Sequence, residues 1–266
     1  MKKRTIKVVV AGVIIAVVGV LVFICALGAA GWNIKKISNW QEDTYTTTKA
    51  LTRLDIKVNA GQVVIKRGSA DTVAVKYQHN DVYKTKITES ADGKLNITTG
   101  EKHWYEFNYW FDDAPLMEIE INENCNPEIY LTVNAGTVEI GDGDWGALID
   151  VDINAGSVSL GKVAAEALKV KMNAGVFDAK RIDCEQFTCH INAGSANVVS
   201  LASNGINLHL SAGSANVTVA GQKADYSISV DKQLGSCNVS NQTGTDPQKQ
   251  IEVKISAGSV NITFAD

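Results

Sequence analysis

The chain has 266 residues, 45% of them apolar, and a formal net charge of −4. The apolar share suffices for a sizeable core in one or two domains, while the acidic balance excludes the basic footprint of a nucleic-acid binder. Three prolines against 22 glycines point to many tight bends without Pro-rich linkers, and no pair among the five cysteines forms a Cys-x-x-Cys motif, so no zinc, redox or other cofactor site is expected.

Lys2, Lys3, Arg4 and Lys7 form a basic head, and no charge follows from Val8 to Ile34. Such a run is long enough to cross a bilayer as a helix, which takes roughly 20 residues. The expectation is a cytoplasmic tail over 1–7, a transmembrane helix over 8–31 and a juxtamembrane spacer over the polar, Thr-rich 32–50. Basic residues on the N-terminal side favour the N-terminus inside. The chain then reads as a single-pass protein of the cell membrane whose bulk is extracytoplasmic. A cleaved signal peptide is the competing reading, with Ala26, Gly28, Ala29 and Ala30 near a cut. Ile24 stands before Cys25 where a lipoprotein signal needs a small residue, so lipidation is not expected.

From 51 to 130 the pattern is β-rich but irregular. Leu54, Ile56 and Val58 precede Gly61, and Val63 and Ile65 follow it. Period-2 alternation predicts further strands at 72–77, 83–88, 94–99 and 116–121, with Asp92-Gly93 as a hairpin turn. Residues 101–115 interrupt this series as an insertion.

A regular β-solenoid is expected over 131–266. Asn-Ala-Gly or Ser-Ala-Gly ends at Gly61, Gly136, Gly156, Gly175, Gly194, Gly213 and Gly258, and Gln233-Leu234-Gly235 is a degenerate copy. From Gly136 the intervals are 20, 19, 19, 19, 22 and 23 residues, the period of stacked coils. Apolar residues lie seven, five and three positions before each glycine and two and four after it; Lys232 alone departs from this. Alternation on both sides predicts two short strands per coil, each burying one face. The parity change across the tripeptide predicts a corner, with glycine tolerating φ > 0 and Asn or Ser bonding the local backbone. Asp150 and Asp152 should face Lys169 and Lys171 one coil on. The last copy, Ile251 to Ile262, is expected to end the stack with an open strand edge.

The insertion carries the candidate binding residues. Trp104, Tyr105, Phe107, Tyr109, Trp110 and Phe111 fall within eight residues, beside Glu101, Glu106, Asp112 and Asp113. Rings with flanking carboxylates suit a sugar-stacking or protein-docking surface, a lipid interface, or a lid over the solenoid core. His190 and His209 occupy equivalent outward positions on consecutive coils and read as a solvated pair without a third metal ligand. Asp142, Asp144, Asp150 and Asp152 match no calcium-loop spacing. The Asn row (Asn59, Asn134, Asn154, Asn173, Asn192) reads as corner chemistry. Cys189 and Cys237 fall at inward positions, whereas Cys184 and Cys125 fall between the mapped strands, leaving a Cys184–Cys189 bridge open. No nucleophile elbow, HExxH or phosphate loop occurs, so no enzyme is expected.

The repeat exemplified by Val151-Asp152-Ile153-Asn154-Ala155-Gly156-Ser157-Val158-Ser159-Leu160, behind a single N-terminal span, resembles the bacterial "putative adhesin" β-repeat family. This is a domain of unknown function that includes LiaG-type membrane-anchored envelope proteins. The resemblance covers about 51–266 and implies an all-β repeat fold with no catalytic residues to carry over. It further implies a cell-envelope binding or scaffold protein, with an accessory part in envelope stress signalling as the alternative and a polysaccharide-active enzyme as a third. Partners would be the membrane and an envelope polymer or membrane protein; oligomeric state stays open.

Overall fold

A computed structural model describes residues 40–101 and 115–265. The expected tail and span over 1–31 and most of the insertion lie outside them. No helix among the described residues is long and apolar enough to cross a membrane.

The described residues form one continuous all-β stack. The chain opens with β1 (Gln41–Thr47), β2 (Arg53–Val58), β3 (Gln62–Gly68), β4 (Val73–His79), β5 (Lys84–Glu89) and β6 (Lys94–Glu101). After the insertion come β7 (Leu116–Asn122), β8 (Glu128–Val133), β9 (Thr137–Ile140), β10 (Gly143–Asp144) and β11 (Leu148–Ile153). The regular coils use β12 (Ser157–Met172), β13 (Val176–Ile191), β14 (Ser195–Leu210) and β15 (Ser214–Ala220). β16 (Ser227–Lys232), β17 (Ser236–Cys237), β18 (Gln250–Ile255) and β19 (Ser259–Ala265) complete the chain.

Alternation decides which side chains go inside. The apolar positions flanking each corner glycine are buried in every copy except the Gly235 one, where Val230 and Cys237 are half-buried and Lys232 is exposed. Equivalent residues of successive coils pair in parallel register, as in Val151 with Val170 and Cys189 with Leu208. No coil could bury its apolar face alone; stacking makes one core from all of them. All eight corner glycines have φ between +117° and +145°. At Gly175 a side chain would also meet the carbonyl oxygen of Gly156 at 2.3 Å, because successive corners stack backbone on backbone.

Several expectations need correction. The second half of the expected spacer is strand β1, which pairs antiparallel with β4. A regular coil has three strand segments rather than two: Lys162 to Ala165 pair in register with Arg181 to Cys184, with Val163 and Ile182 buried. Cys184 therefore lies inside β13 and is buried. Cys125, Cys184, Cys189 and Cys237 are all free thiols, so the Cys184–Cys189 bridge is not formed. The Asn row bonds side chain to side chain from coil to coil instead of bonding its own backbone. Nδ2 of Asn134, Asn154, Asn173 and Asn192 each donates to Oδ1 of the preceding row member at 2.7–2.8 Å, and Ser211 Oγ continues the line at 3.4 Å.

The end of the stack is also rearranged. β18 pairs with β14 on one side and β16 on the other, and β19 lies between β15 and β17. The last copy in sequence is thus tucked inside, and the degenerate Gly235 copy is outermost. Terminal repeats are atypical because one of their faces has no neighbour to bury it, which accounts for Lys232 and for Leu234 at 75% exposure.

Candidate functional site

At the opposite end, β6 and β7 form a coil against β2 and β3, pairing in parallel with each. β6 ends at Glu101 and β7 begins at Leu116, so the described chain leaves the stack after Glu101 and rejoins it at Pro115, where the neighbouring coils place Asn-Ala-Gly. Pro115 closes against that corner, accepting a hydrogen bond from Gln62 N at 2.9 Å. Trp104, Tyr105, Phe107, Tyr109, Trp110 and Phe111 lie outside the described residues. At this end Trp40 stacks on Tyr83, ring centroids 5.8 Å apart, and Leu116 is 42% exposed.

The third strand segment of the coils, unmapped from sequence, carries a groove of about 610 Å³. The small residues Ala164, Ala165, Ala202 and Ser203 line it, together with Asp183, Glu185 and Tyr226. Tyr226 is buried and donates its hydroxyl to Ser203 O at 2.9 Å. Cys184 faces the same groove, but burial pushes its thiol up to about 11, and burial takes Cys189 to about 12. Both stay protonated at neutral pH and are poor nucleophiles. The alanines that shape this groove lie away from the strands flanking the glycines and give no apolar alternation of their own in the sequence.

His190 and His209 stack with ring centroids 4.6 Å apart and planes 9° from parallel. Burial chiefly, then the neighbouring His190 and Lys254, lowers the His209 pKa below its ordinary value, against a smaller opposing effect of Glu252. Among the described residues no three His, Cys, Asp or Glu side chains are grouped to hold a metal. Asp142 binds the backbone instead, its Oδ1 accepting from Lys162 N at 2.7 Å. Asp152 approaches Lys171 at 3.8 Å, as the coil register requires.

The family model for Toastrack DUF4097 matches residues 51–266, nearly the whole stack from before the Gly61 corner to the end of the chain. The chain belongs to the Toastrack DUF4097 family. No curated relative matches it. Among solved structures this Toastrack chain is similar to a "putative cell adhesion protein" from Clostridium sporogenes, at 15% identity and a TM-score of 0.37, covering 85% of this chain and 100% of that one. A "putative adhesin" from Bacteroides fragilis shares 12% identity at a TM-score of 0.35, covering 84% and 97% of the two chains. A "putative lipid binding protein" from Parabacteroides distasonis shares 13% at 0.39, covering 87% and 98%.

Proposed function

We propose that the chain is a membrane-anchored, extracytoplasmic scaffold that binds an envelope polymer through its aromatic insertion, and that it is not an enzyme. The observation supporting this is where the insertion departs: between Glu101 and Pro115, at a corner of a register-locked stack. A corner accepts added residues without shifting any strand pairing, so a rigid body can carry a variable binding loop there. Six aromatic rings in the loop supply contact area at low entropic cost, and flanking carboxylates accept hydrogen bonds from sugar hydroxyls. The uncharged run over 8–31 would tether that loop at the outer face of the membrane.

The test is co-sedimentation of the full-length protein, in detergent, with purified cell-wall sacculi. Deleting 102–114 should sharply reduce retention while the melting temperature stays unchanged. Equal retention of both proteins overturns the reading.

A further inference from the structure

The outward rows on the two sides of the corners differ in charge. Ahead of the corners, the outward row Asp152, Lys171, His190, His209, Lys254, Asp231 is ionisable at every strand. After the corners, the outward positions of the last coils carry none. Ser195, Ser214, Ser259 and Ser236 align in one row, Asn197, Asn216 and Asn261 in the next, and Thr218 with Thr263 in a third. The three Asn side chains are exposed, as are Ser259, Ser236 and Thr263. Asp178, paired with Asn197, is the acidic residue that borders the Asn row. The swapped order of the last coils lays Ser259-Asn261-Thr263 directly beside Ser214-Asn216-Thr218, joining two complete strands of this pattern. Thr218 and Thr263 share a hydrogen bond of 2.9 Å, so the rows are held in step.

We infer that this face is a second, independent contact surface, and that its ligand is an uncharged polysaccharide strand. Binding a polymer strips water from whatever the face presents. Stripping it from ionised groups without partners is costly, whereas hydroxyls and carboxamides exchange water for sugar hydroxyls at little net cost. Hydroxyl and amide groups repeat about every 4.8 Å across strands and about every 6.6 Å along them. That lattice extends about 14 Å by about 13 Å, the scale of a few consecutive sugar rings. Val199, 59% exposed at the bulge in β14, adds apolar surface for the C–H side of a ring. A charged polymer, anionic or cationic, would gain no ion pair among these hydroxyl and amide rows. Each hydrogen bond contributes little, so retention comes from a repeating ligand that engages several rows at once.

The probe is chitin, an insoluble uncharged glycan, with the full-length protein in detergent and an insoluble anionic polysaccharide, cross-linked carboxymethyl cellulose, as the contrasting arm. Wild type should pellet with chitin and not with the anionic polysaccharide. The triple variant Asn197→Lys, Asn216→Glu, Asn261→Lys charges the face while keeping opposite charges on adjacent strands, Asp178 included, and should lose about tenfold in retention. Asn197→Ser, Asn216→Ser, Asn261→Ser keeps the face uncharged and should stay within about twofold of wild type. If the charged triple melts early, Asn216→Lys alone serves, with an expected loss of about threefold. Deleting 102–114 should leave chitin retention in place, which separates this surface from the insertion. The inference is overturned if wild type does not pellet with chitin, if the charged variants pellet as wild type does, or if only the deletion abolishes retention. Wild type self-associating through this face, without glycan retention, also overturns it.

Discussion

The side-chain amide of Asn238 occupies both backbone groups of Ile262: Nδ2 donates to its carbonyl and Oδ1 accepts from its N–H, each at 2.8 Å. β17 is only two residues long, so beyond Cys237 the outer edge of β19 has no strand beside it. A carboxamide carries a donor and an acceptor in one plane and substitutes for the missing peptide unit. Asn241 does related work one strand over, its Oδ1 accepting from Val230 N at 2.6 Å, and Gln242 exchanges backbone bonds with Ile228. Residues 238–242 thus guard the end of the stack.

Asn238→Ala should unguard it. Two hydrogen bonds are lost at a partly hydrated edge, a cost of about 1–2 kcal/mol. The freed groups of Ile262 become a template for a strand from another molecule. Sedimentation of the full-length variant in detergent across a concentration series should show association that wild type lacks. A variant as monomeric and as heat-stable as wild type would mean the amide guards nothing.

Gly175→Val should be among the most damaging single changes. The residue sits at φ +144°, and a Cβ there would lie 2.3 Å from Gly156 O. The conformation alone costs about 1–3 kcal/mol for a side-chain-bearing residue, and the clash adds to it because a stacked corner cannot retreat. Gly221→Ala isolates the first contribution, since φ is +110° with nothing within 4 Å of the added carbon. Lys171→Thr, which loses only an exposed 3.8 Å ion pair, should cost at most about 0.5 kcal/mol. Denaturant midpoints should rank Gly175→Val well below Gly221→Ala, with Lys171→Thr near wild type. Any other order would show that corner crowding is not what the glycines relieve.

The repeat made the coils legible because burial in a parallel stack depends on position relative to the corner, and position is written in the sequence. Leu54 to Ile65 and Ile251 to Ile262 could be assigned inward with no structure. What escaped was order. Parallel strands of near-identical pattern can neighbour one another in more than one sequence, and nothing in Ile251–Ile262 says that it sits next to Leu210 rather than after Cys237. The clue was Lys232: a copy that breaks the inward pattern fits only where the core has ended. The Asn ladder escaped for a related reason, since a corner Asn can bond its own turn or the next coil, and only stacking brings Asn154 Oδ1 within 2.7 Å of Asn173 Nδ2. The third strand segment was missed because Ala164, Ala165 and Ala202 carry too little apolar contrast to register as alternation. For the candidate site, the aromatic cluster was visible as composition, but its attachment at a corner became clear only from the pairing of β6 with β2 and β7 with β3.

Acidification should weaken the stack through His209. Its ring lies over His190 on one side, with Lys254 in register on the other strand and Glu252 nearby on the same one. Burial, His190 and Lys254 all oppose a proton, and Glu252 only partly offsets them, so the folded pKa lies below the ordinary 6.5. The unfolded chain, free of these neighbours, protonates first as pH falls. Below about pH 6.5 it therefore binds more protons than the folded form, and stability declines with falling pH until the folded histidine also titrates. Above that pH both forms are neutral there and this contribution is flat. Melting curves between pH 7.5 and pH 5 should show a falling midpoint for wild type and a shallower slope for His209→Gln, whose side chain cannot titrate. Parallel slopes for the two proteins would assign the acid sensitivity to other groups.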